Sequence, residues 1–377
     1  MRASKIKKVR LIVSIFIGMY LFLNACPIYG KGLDRRGIWV TVFTEKKVLY
    51  SKDAVLELLK FCKAAEINEI YLQVYRAGQA YYDSEMIDFL LKEAHRDKVK
   101  IFAWVNILSL AQNKDADIIS RFGESILTRD QYLRPSLRSE VTNDTDRYYL
   151  RDEQLFLEPG DPRVIDYILS VIEDIIVRYP ALSGIHLDYI RYPYPVPFLL
   201  DSRFNKYGLT YGYGEKNIER FKEAAGLDPV SMAPERDNFL RWDNWKRDQV
   251  TSLVEKISGH AKKKMPGLLI SAAVVPSTEM AYNVAFQDWP LWLERGIIDY
   301  VVLMNYTRDN ISAVERIRSG LAHRGKGRVF AGIAAFLMKD NPELFFEQYK
   351  IIRNLRPDGI VFFSYDDKEI IMDVLAR

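Results

Sequence analysis

An acidic residue ends a short apolar run in GIHLDYIRYP, residues 184–193. Side chains alternate along a strand, so His186 and Asp188 share one face. A carboxylate at the end of a buried strand is costly unless it is paired or functional. Arg191 follows closely, and a neighbouring cation depresses a carboxyl pKa. We therefore expect an ionised Asp188 that acts as a nucleophile or base, with a structural ion pair to Arg191 as the alternative.

Polar and aromatic residues recur at the ends of the other apolar runs. Amides, acids and arginines bind sugar hydroxyls, and aromatic rings cover the C–H faces of pyranoses. For any single residue, a packing role explains its type equally well, but the recurrence at strand ends predicts a carbohydrate site. The candidate substrate-binding residues are Gln73, Arg76, Trp104, Asn106, His186, Arg191, Tyr192, Asn305 and Tyr306.

Hydrolysis of a glycosidic bond needs a second carboxyl group opposite the first. Glu279 and Asp366 follow apolar runs and are the first candidates, while Glu153 and Glu158 lie in a long intervening segment. An N-acetyl group of the substrate is a further alternative to a second protein carboxyl. We therefore predict Asp188, Glu279 and Asp366 as the catalytic set.

Other chemistries lack their motifs in this sequence. The four histidines are scattered, and neither HExxH nor a paired-cysteine spacing occurs, so we predict no metal site. No GxSxG nucleophile elbow is present either. No cofactor is expected. Cys62 falls on the apolar side of a helical pattern and is predicted to be a small core residue.

Eight apolar, strand-like runs must position these residues. Five of the seven intervals between them are close to the roughly 30 residues of one βα unit. Helical patterns fill the intervals, two of them opened by the cap pairs Asp161-Pro162 and Asn341-Pro342. Alternating strands and helices predict an α/β protein, a (β/α)8 TIM barrel, with an open doubly wound sheet as the alternative. The runs begin at Gly37, Ile70, Ile101, Gly184, Leu268, Tyr300, Val329 and Ile360.

Two intervals are much longer, and their extra residues lie at about 110–160 and 192–238. These segments follow the third and fourth strands, so they are loops on the carboxyl face of the barrel, where active sites lie. The second is rich in Tyr, Pro and Gly. We predict that both loops form a wall around the site. The alternative is that they only cover the barrel mouth or make a subunit contact.

The N-terminal residues predict export. Five cations and no acid occur in residues 1–10, and an apolar run covers 11–23, as in a signal peptide; an uncleaved anchor is the alternative. We assign residues 1–30 to the signal and 31–377 to one barrel domain. The LNAC sequence ending at Cys26 resembles a lipobox, which would lipidate Cys26 and tether the protein to a membrane; cleavage after Gly30 is the alternative. The expected location is periplasmic, extracellular or membrane-anchored.

The rest of the composition is that of an ordinary globular protein of 377 residues, 49% hydrophobic and 28% charged. Beyond the first ten residues the acidic and basic residues nearly balance. No basic surface for nucleic acid is therefore expected.

Several stretches together resemble the glycosyl-hydrolase-like family 10, secreted bacterial (β/α)8 proteins grouped with glycosidases. The resemblance implies a barrel that acts on a polysaccharide, and some members of the family act on cell-wall glycans. The fourth-strand motif is also similar to that of α-amylase-type barrels, which implies a nucleophile at Asp188. The sequence departs from the family pattern at Tyr75, Phe102, Ile107 and Glu158. The stretches are RGIWVT (36–41), QVYRAGQAYYDS (73–84), FAWVN (102–106), FLEPGDPRVIDYI (156–168) and GIHLDYIRYP (184–193).

These observations predict an exported glycoside hydrolase that acts on a bacterial envelope or extracellular polysaccharide. A non-catalytic carbohydrate-binding barrel is the second hypothesis, and its mark would be a groove without a second carboxyl near Asp188. An envelope scaffold is the third, and it would lack a concave polar pocket at the barrel mouth.

Overall fold

Eight parallel strands close into a barrel in the computed structural model, which describes residues 35–44, 46–82, 84–135, 154–193 and 210–377. Each strand pairs with its neighbours in chain order, and the first also pairs with the last, Arg36 opposite Ile360. The strands are β1 Arg36–Val40, β2 Glu69–Arg76, β3 Lys100–Asn106, β4 Gly184–Asp188, β5 Leu269–Val274, β6 Tyr300–Met304, β7 Arg328–Ala334 and β8 Gly359–Phe363.

Each strand is followed by a helix of the same number on the outside of the barrel. Every strand begins within one residue of its predicted start, so the (β/α)8 prediction is confirmed and the open sheet is excluded by the pairing of β1 with β8. The helices are α1 Lys52–Ala64, α2 Glu85–Arg96, α3 Pro162–Arg178, α4 Arg236–Lys264, α5 Trp289–Arg295, α6 Asn310–Ala322, α7 Pro342–Asn354 and α8 Lys368–Leu375.

Shorter elements lie in the segments that connect the strands and helices. The short helices are Asp117–Phe122, Glu215–Ala225 and Thr278–Asn283, and the single 3-10 turns are Val48–Tyr50, Glu124–Ile126, Ala335–Met338 and Tyr365–Asp367. Gln79–Ala80 adds an antiparallel pair to the end of β2, and Ser109–Ala111 pairs with Leu155–Phe156.

Helix starts follow from local capping chemistry. The Asp161 side chain accepts a hydrogen bond from the backbone N–H of Arg163 at 2.9 Å, with Pro162 in the first helical turn. Asn341 accepts from the N–H of Leu344 at 3.0 Å in the same manner. Each cap satisfies an N–H that the helix itself leaves without an acceptor.

Two apolar layers hold the barrel together. The outer layer lies between strands and helices, and Cys62 is completely buried in it on α1, as predicted. The inner layer fills the barrel with large rings, including Tyr71, Phe102, Tyr300 and Phe330. Gly184 opens β4 because a Cβ there would lie 2.6 Å from the Phe102 ring. The described part of the barrel interior is therefore filled by side chains below the mouth.

The described parts of the two long segments pack on each other at the carboxyl face. Isolated bridges join Leu127 to Leu157 and Asp130 to Tyr211. The rest of these segments, including Glu153, lies outside the described residues. So do residues 1–30 with Cys26, and the signal and lipidation stay predictions. Within the part of the chain that is described, none of the helices is long and apolar enough to cross a bilayer.

Candidate active site

A cavity of about 720 Å³ opens at the carboxyl ends of the strands. This is the face on which barrel enzymes carry their sites. The described residues that line it are Trp39, Thr41, Phe43, Thr44, Gln73, Arg76, Trp104, Asn106, Asp188, Tyr189, Arg191, Ala273, Val275, Pro276, Ser277, Met280, Met304, Tyr306, Arg316 and Phe363.

Asp188 is the last residue of β4, and its side chain is only slightly exposed in the cavity wall. Oδ2 accepts a hydrogen bond from the Trp104 indole N–H at 3.0 Å, and Oδ1 accepts one from the backbone N–H of Tyr189 at 2.7 Å. The second bond depends on Tyr189, whose φ of 52° turns the chain sharply at the strand end. Two donors thus hold both carboxyl oxygens in one orientation.

Burial raises the pKa of Asp188, against the opposing effects of the Tyr189 N–H, the Arg191 charge and the Trp104 N–H. The expectation of a depressed pKa was wrong. Arg191 forms no ion pair with Asp188, although both residues are described; its guanidinium donates to the carbonyl of Tyr192 at 3.3 Å and lies over the Tyr189 ring at 4.9 Å. The carboxyl therefore lacks the close counter-charge that would offset desolvation.

An amide pair lies beside the carboxyl. Gln73 Nε2 donates to Asn106 Oδ1 at 3.4 Å, and both side chains are buried in the cavity wall. Gln73 lies on β2 and Asn106 ends the neighbouring β3, where it is the register partner of Asp188 on β4. Amides beside a carboxyl supply the donors and acceptors that sugar hydroxyls require.

Aromatic rings form one side of the cavity around Phe363. Its ring centroid lies 5.7 Å from that of Trp39, 6.2 Å from that of Trp104 and 5.6 Å from that of Tyr306. The structure therefore places Trp104 and Tyr306 at the mouth. Flat rings of this kind are suited to stacking on the C–H faces of sugars.

His186 lies in the barrel interior below the cavity. Nε2 accepts from the Trp39 indole N–H at 3.2 Å, and Nδ1 contacts Ser271 Oγ at 2.9 Å. Since an indole N–H only donates, Nε2 is unprotonated and the neutral ring carries its proton on Nδ1. Complete burial lowers the pKa of His186 to about 3. His186 does not line the cavity, so it supports Trp39 from beneath.

Tyr192 and Asn305 also lie outside the cavity wall. The Tyr192 hydroxyl donates to Glu158 Oε1 at 2.5 Å, deep in the packed loops. Asn305 Nδ2 donates to the carbonyl of Ala313 at 3.1 Å, which ties β6 to α6. Both residues follow strand ends, but their side chains point into packed structure.

The candidate second carboxyls do not line the cavity. Glu279 is exposed on the short helix after β5, between the lining residues Ser277 and Met280. Asp366 does not line the cavity, but it bonds to a residue that does: its Oδ2 accepts a hydrogen bond from the hydroxyl of Thr41 at 3.1 Å. Glu158 is buried in the loop network. Among the described lining residues, Asp188 is the single carboxyl.

Sequence reasoning missed Arg316 and Phe43, and it overestimated the long loops. Arg316 comes from α6 and Phe43 from the loop after β1, whereas the residues predicted from the sequence follow strand ends. No described residue of 110–160 or 192–238 lines the cavity, because these segments pack against one another. The sequence gives no indication that Arg316 faces the cavity, because the residues one turn away on α6 are Ser312, Ala313, Ser319 and Gly320. No group of three or more His, Cys, Asp or Glu side chains among the described residues is arranged to hold a metal ion.

The fold and the cavity define a (β/α)8-barrel protein with its candidate site at the carboxyl ends of the strands. The chain belongs to the glycosyl hydrolase-like 10 family, whose model matches residues 34–323.

Named relatives are distant in sequence. Glycosyl hydrolase YngK of Bacillus subtilis (strain 168) is 22% identical over 420 residues, which cover 95% of this chain and 74% of that protein. Glycosyl hydrolase DigH of Escherichia coli (strain K12) is 22% identical over 288 residues, 68% of this chain and 58% of DigH.

Solved β-galactosidases share the fold. The enzyme of the psychrophilic Marinomonas ef1 superposes with a TM-score of 0.61 at 9% identity, covering 91% of this chain and 59% of that one. The enzyme of Bacillus circulans sp. alkalophilus gives 0.57 at 12% identity, covering 88% and 50%. At such identities the likeness concerns the fold alone.

Proposed function

We propose that this protein hydrolyses O-glycosidic bonds in a bacterial envelope or extracellular polysaccharide, with Asp188 as the carboxyl that contacts the scissile bond. One observation carries the proposal: the single described carboxyl of the cavity is fixed by two N–H donors beside an amide pair and a wall of rings. The hydrolase names of the relatives YngK and DigH support the same class of reaction.

The environment of Asp188 favours the role of general acid. Burial raises its pKa, so a larger fraction of the carboxyl holds a proton at a given pH than in an exposed aspartate. A protonated carboxyl donates to the glycosidic oxygen as the bond to the leaving group breaks. This role differs from the nucleophile or base that the sequence favoured.

A base or nucleophile must then act from the opposite side of the sugar. Asp366 is the better placed of the two strand-end candidates, because its hydrogen-bond partner Thr41 lines the cavity. Glu279 is exposed, and the nearby residues Ser277 and Met280 line the cavity. We propose Asp366 first and Glu279 second.

Product analysis on purified cell-wall glycans and exopolysaccharides tests the proposal. Asp188→Asn should abolish release of new reducing ends while binding of the same glycan persists. On aryl glycosides with activated leaving groups, which need no protonation, the loss should be much smaller. Asp366→Asn should be inactive on both kinds of substrate. Asp237→Asn is the matched control, because Asp237 is an exposed residue on α4.

A binding-only barrel is the second candidate, and it is favoured by the single carboxyl among the described lining residues. In that case the wild-type protein binds a glycan and releases no product, and Asp188→Asn changes affinity alone. Product formation that survives Asp188→Asn on natural glycans would refute the catalytic role of Asp188.

A further inference from the structure

The cavity is rich in cations for a site with one described carboxyl. Three guanidinium groups line it, those of Arg76, Arg191 and Arg316, against Asp188. Elsewhere arginines commonly face acids: Arg308 lies 2.9 Å from Asp340. The side chains of Arg76 and Arg316 form no hydrogen bond or ion pair with any residue that the structure describes, and this difference requires a cause.

Arg316 carries a poorly compensated charge. It is half-buried on α6, and burial lowers its pKa, while the charge of Asp309 acts in the opposite direction. The Asp309 carboxylate is itself occupied, since it caps α6 by accepting from the N–H groups of Ile311 and Ser312 at 3.4 and 2.8 Å. A guanidinium stays protonated under these conditions. Partly desolvating such a charge without a partner costs free energy, which an anionic ligand would recover.

Arg76 is oriented by stacking. Its guanidinium carbon lies 4.5 Å from the centre of the Phe43 ring, which in turn meets Tyr81 edge-on at 4.4 Å. Stacking occupies a face of the guanidinium and leaves the N–H edge available. That edge is the part which binds carboxylate, sulfate or phosphate oxygens in a bidentate manner.

The two arginines come from opposite sides of the barrel mouth. Arg76 ends β2, Arg316 is on the helix that follows β6, and Asp188 ends β4. In the closed order of eight strands, β2 and β6 are diametrically opposed and β4 lies midway between them. A sugar chain laid across the mouth from β2 to β6 therefore passes the side of the cavity that carries Asp188, with Arg76 towards one end of its path and Arg316 towards the other.

From this arrangement we infer that the site takes an acidic glycan, whose carboxylate or sulfate groups are bound by Arg316 and Arg76. The inference rests on the proposed assignment of the cavity to a glycan and adds its substrate class. A neutral sugar would give these guanidiniums only hydroxyl acceptors and would leave their charge uncompensated. An anionic substituent supplies both the acceptors and the opposite charge.

Matched polymer pairs test the inference. Polygalacturonate is compared with its carboxyl-reduced form, and dextran sulfate with dextran, by calorimetric titration into the full chain carrying Asp188→Asn, which prevents turnover. We expect at least one acidic polymer to bind about tenfold or more tightly than its neutral partner, with affinity that falls as salt rises. The two pairs separate carboxylate from sulfate as the recognised group.

Arg316→Gln in the same background should remove most of that preference, and Arg76→Gln should reduce it. Arg318→Gln is the matched control, because Arg318 is exposed on the same helix and outside the cavity wall. The inference is overturned if no acidic polymer binds more tightly than its neutral form, or if Arg316→Gln and Arg318→Gln behave alike. Cleavage of neutral glycans alone would overturn it and leave the proposed hydrolysis intact. Tight binding of an acidic polymer without cleavage by the unsubstituted protein would support the inference and overturn the proposed hydrolysis.

Discussion

Asp188 and Glu158 are both buried carboxyls near the carboxyl face of this barrel, and they differ in what surrounds them. Asp188 is in the cavity wall. Glu158 is buried in the packed loops after β3 and β4. Burial raises the pKa of both groups, and both accept hydrogen bonds from N–H donors. A shifted carboxyl pKa in a buried position is therefore not enough to identify an active site.

Access to open space separates the two carboxyls. Glu158 accepts from the Tyr192 hydroxyl at 2.5 Å and from the N–H groups of Gly160 and Gly214 at 3.3 and 3.2 Å. A Cβ at Gly214 would lie 2.6 Å from Glu158 Cγ, so the packing is closed on that side. Asp188 instead has a cavity of about 720 Å³ in front of it. Glu158 stabilises the loops, and Asp188 can meet a ligand.

The largest expected effect is the loss of hydrolysis in Asp188→Asn. If Asp188 is the general acid, turnover of natural glycans should fall by roughly 10²–10⁴-fold. Stability should change by only about 1 kcal/mol, because solvent in the cavity can pair with the altered amide. Urea unfolding and product assays on the same preparation measure both. A loss of roughly 3–5 kcal/mol, the cost of breaking a buried charge pair, would instead show that Asp188 is mainly structural.

Glu158→Gln should show the opposite pattern. The amide places an NH₂ group where an oxygen now accepts from a backbone N–H, and the closed packing offers no solvent to replace that bond. We expect a loss of about 1–3 kcal/mol in the free energy of unfolding. Activity per folded molecule should stay near that of the wild type. A stable but inactive variant would place Glu158 in the reaction and contradict the distinction drawn between the two carboxyls.

The stability difference between wild type and Glu158→Gln should also depend on pH. Burial raises the folded-state pKa of Glu158 above its usual 4.5. At a pH between 4.5, the value for the unfolded chain, and the higher folded-state pKa, the folded chain holds a proton that the unfolded chain has released. The stability that this group contributes is therefore fully present below pH 4.5 and is lost as pH rises through the folded-state pKa. Glutamine does not titrate. The cost of the substitution should thus shrink from acid to neutral pH, and a cost that grows with pH would show that the fold favours the ionised form.

The fold could be predicted in detail because its pattern is local. Apolar runs about 30 residues apart fix the number of βα units, and caps such as Asp161-Pro162 mark helix starts. Asp188 could be found because the ends of parallel strands must meet at one face. These inferences need only the sequence order of strands and helices.

The direction of side chains beyond the strand ends could not be predicted. The chain turns at Tyr189, whose φ is 52°, so the alternation of β4 no longer applies at Tyr192. Arg316 enters the cavity through the rotation of α6, which depends on tertiary packing. The pKa of Asp188 was misjudged for a related reason: Arg191 is near in sequence, but its guanidinium stacks on Tyr189 and does not pair with the acid.

The smallest expected effect concerns the Trp104 indole, which donates to Asp188 Oδ2 at 3.0 Å. Trp104→Phe keeps a ring in the cavity wall and removes that donor. Since the bond lowers the pKa of Asp188, its loss should raise that pKa further, and kcat/KM should fall by roughly tenfold or less through poorer orientation.

The pH profile of kcat/KM then reports the role of Asp188. If the carboxyl must be protonated, as a general acid, the alkaline limb of the profile moves to higher pH in Trp104→Phe. If it must be ionised, as a nucleophile or base, the acidic limb moves upward instead. Trp39→Phe is the matched control. It also removes an indole donor from the cavity wall, but that donor bonds to His186 and not to Asp188. With the His186 pKa at about 3, neither limb should move in that variant. Profiles that coincide for both variants and the wild type would mean that Asp188 does not control the reaction.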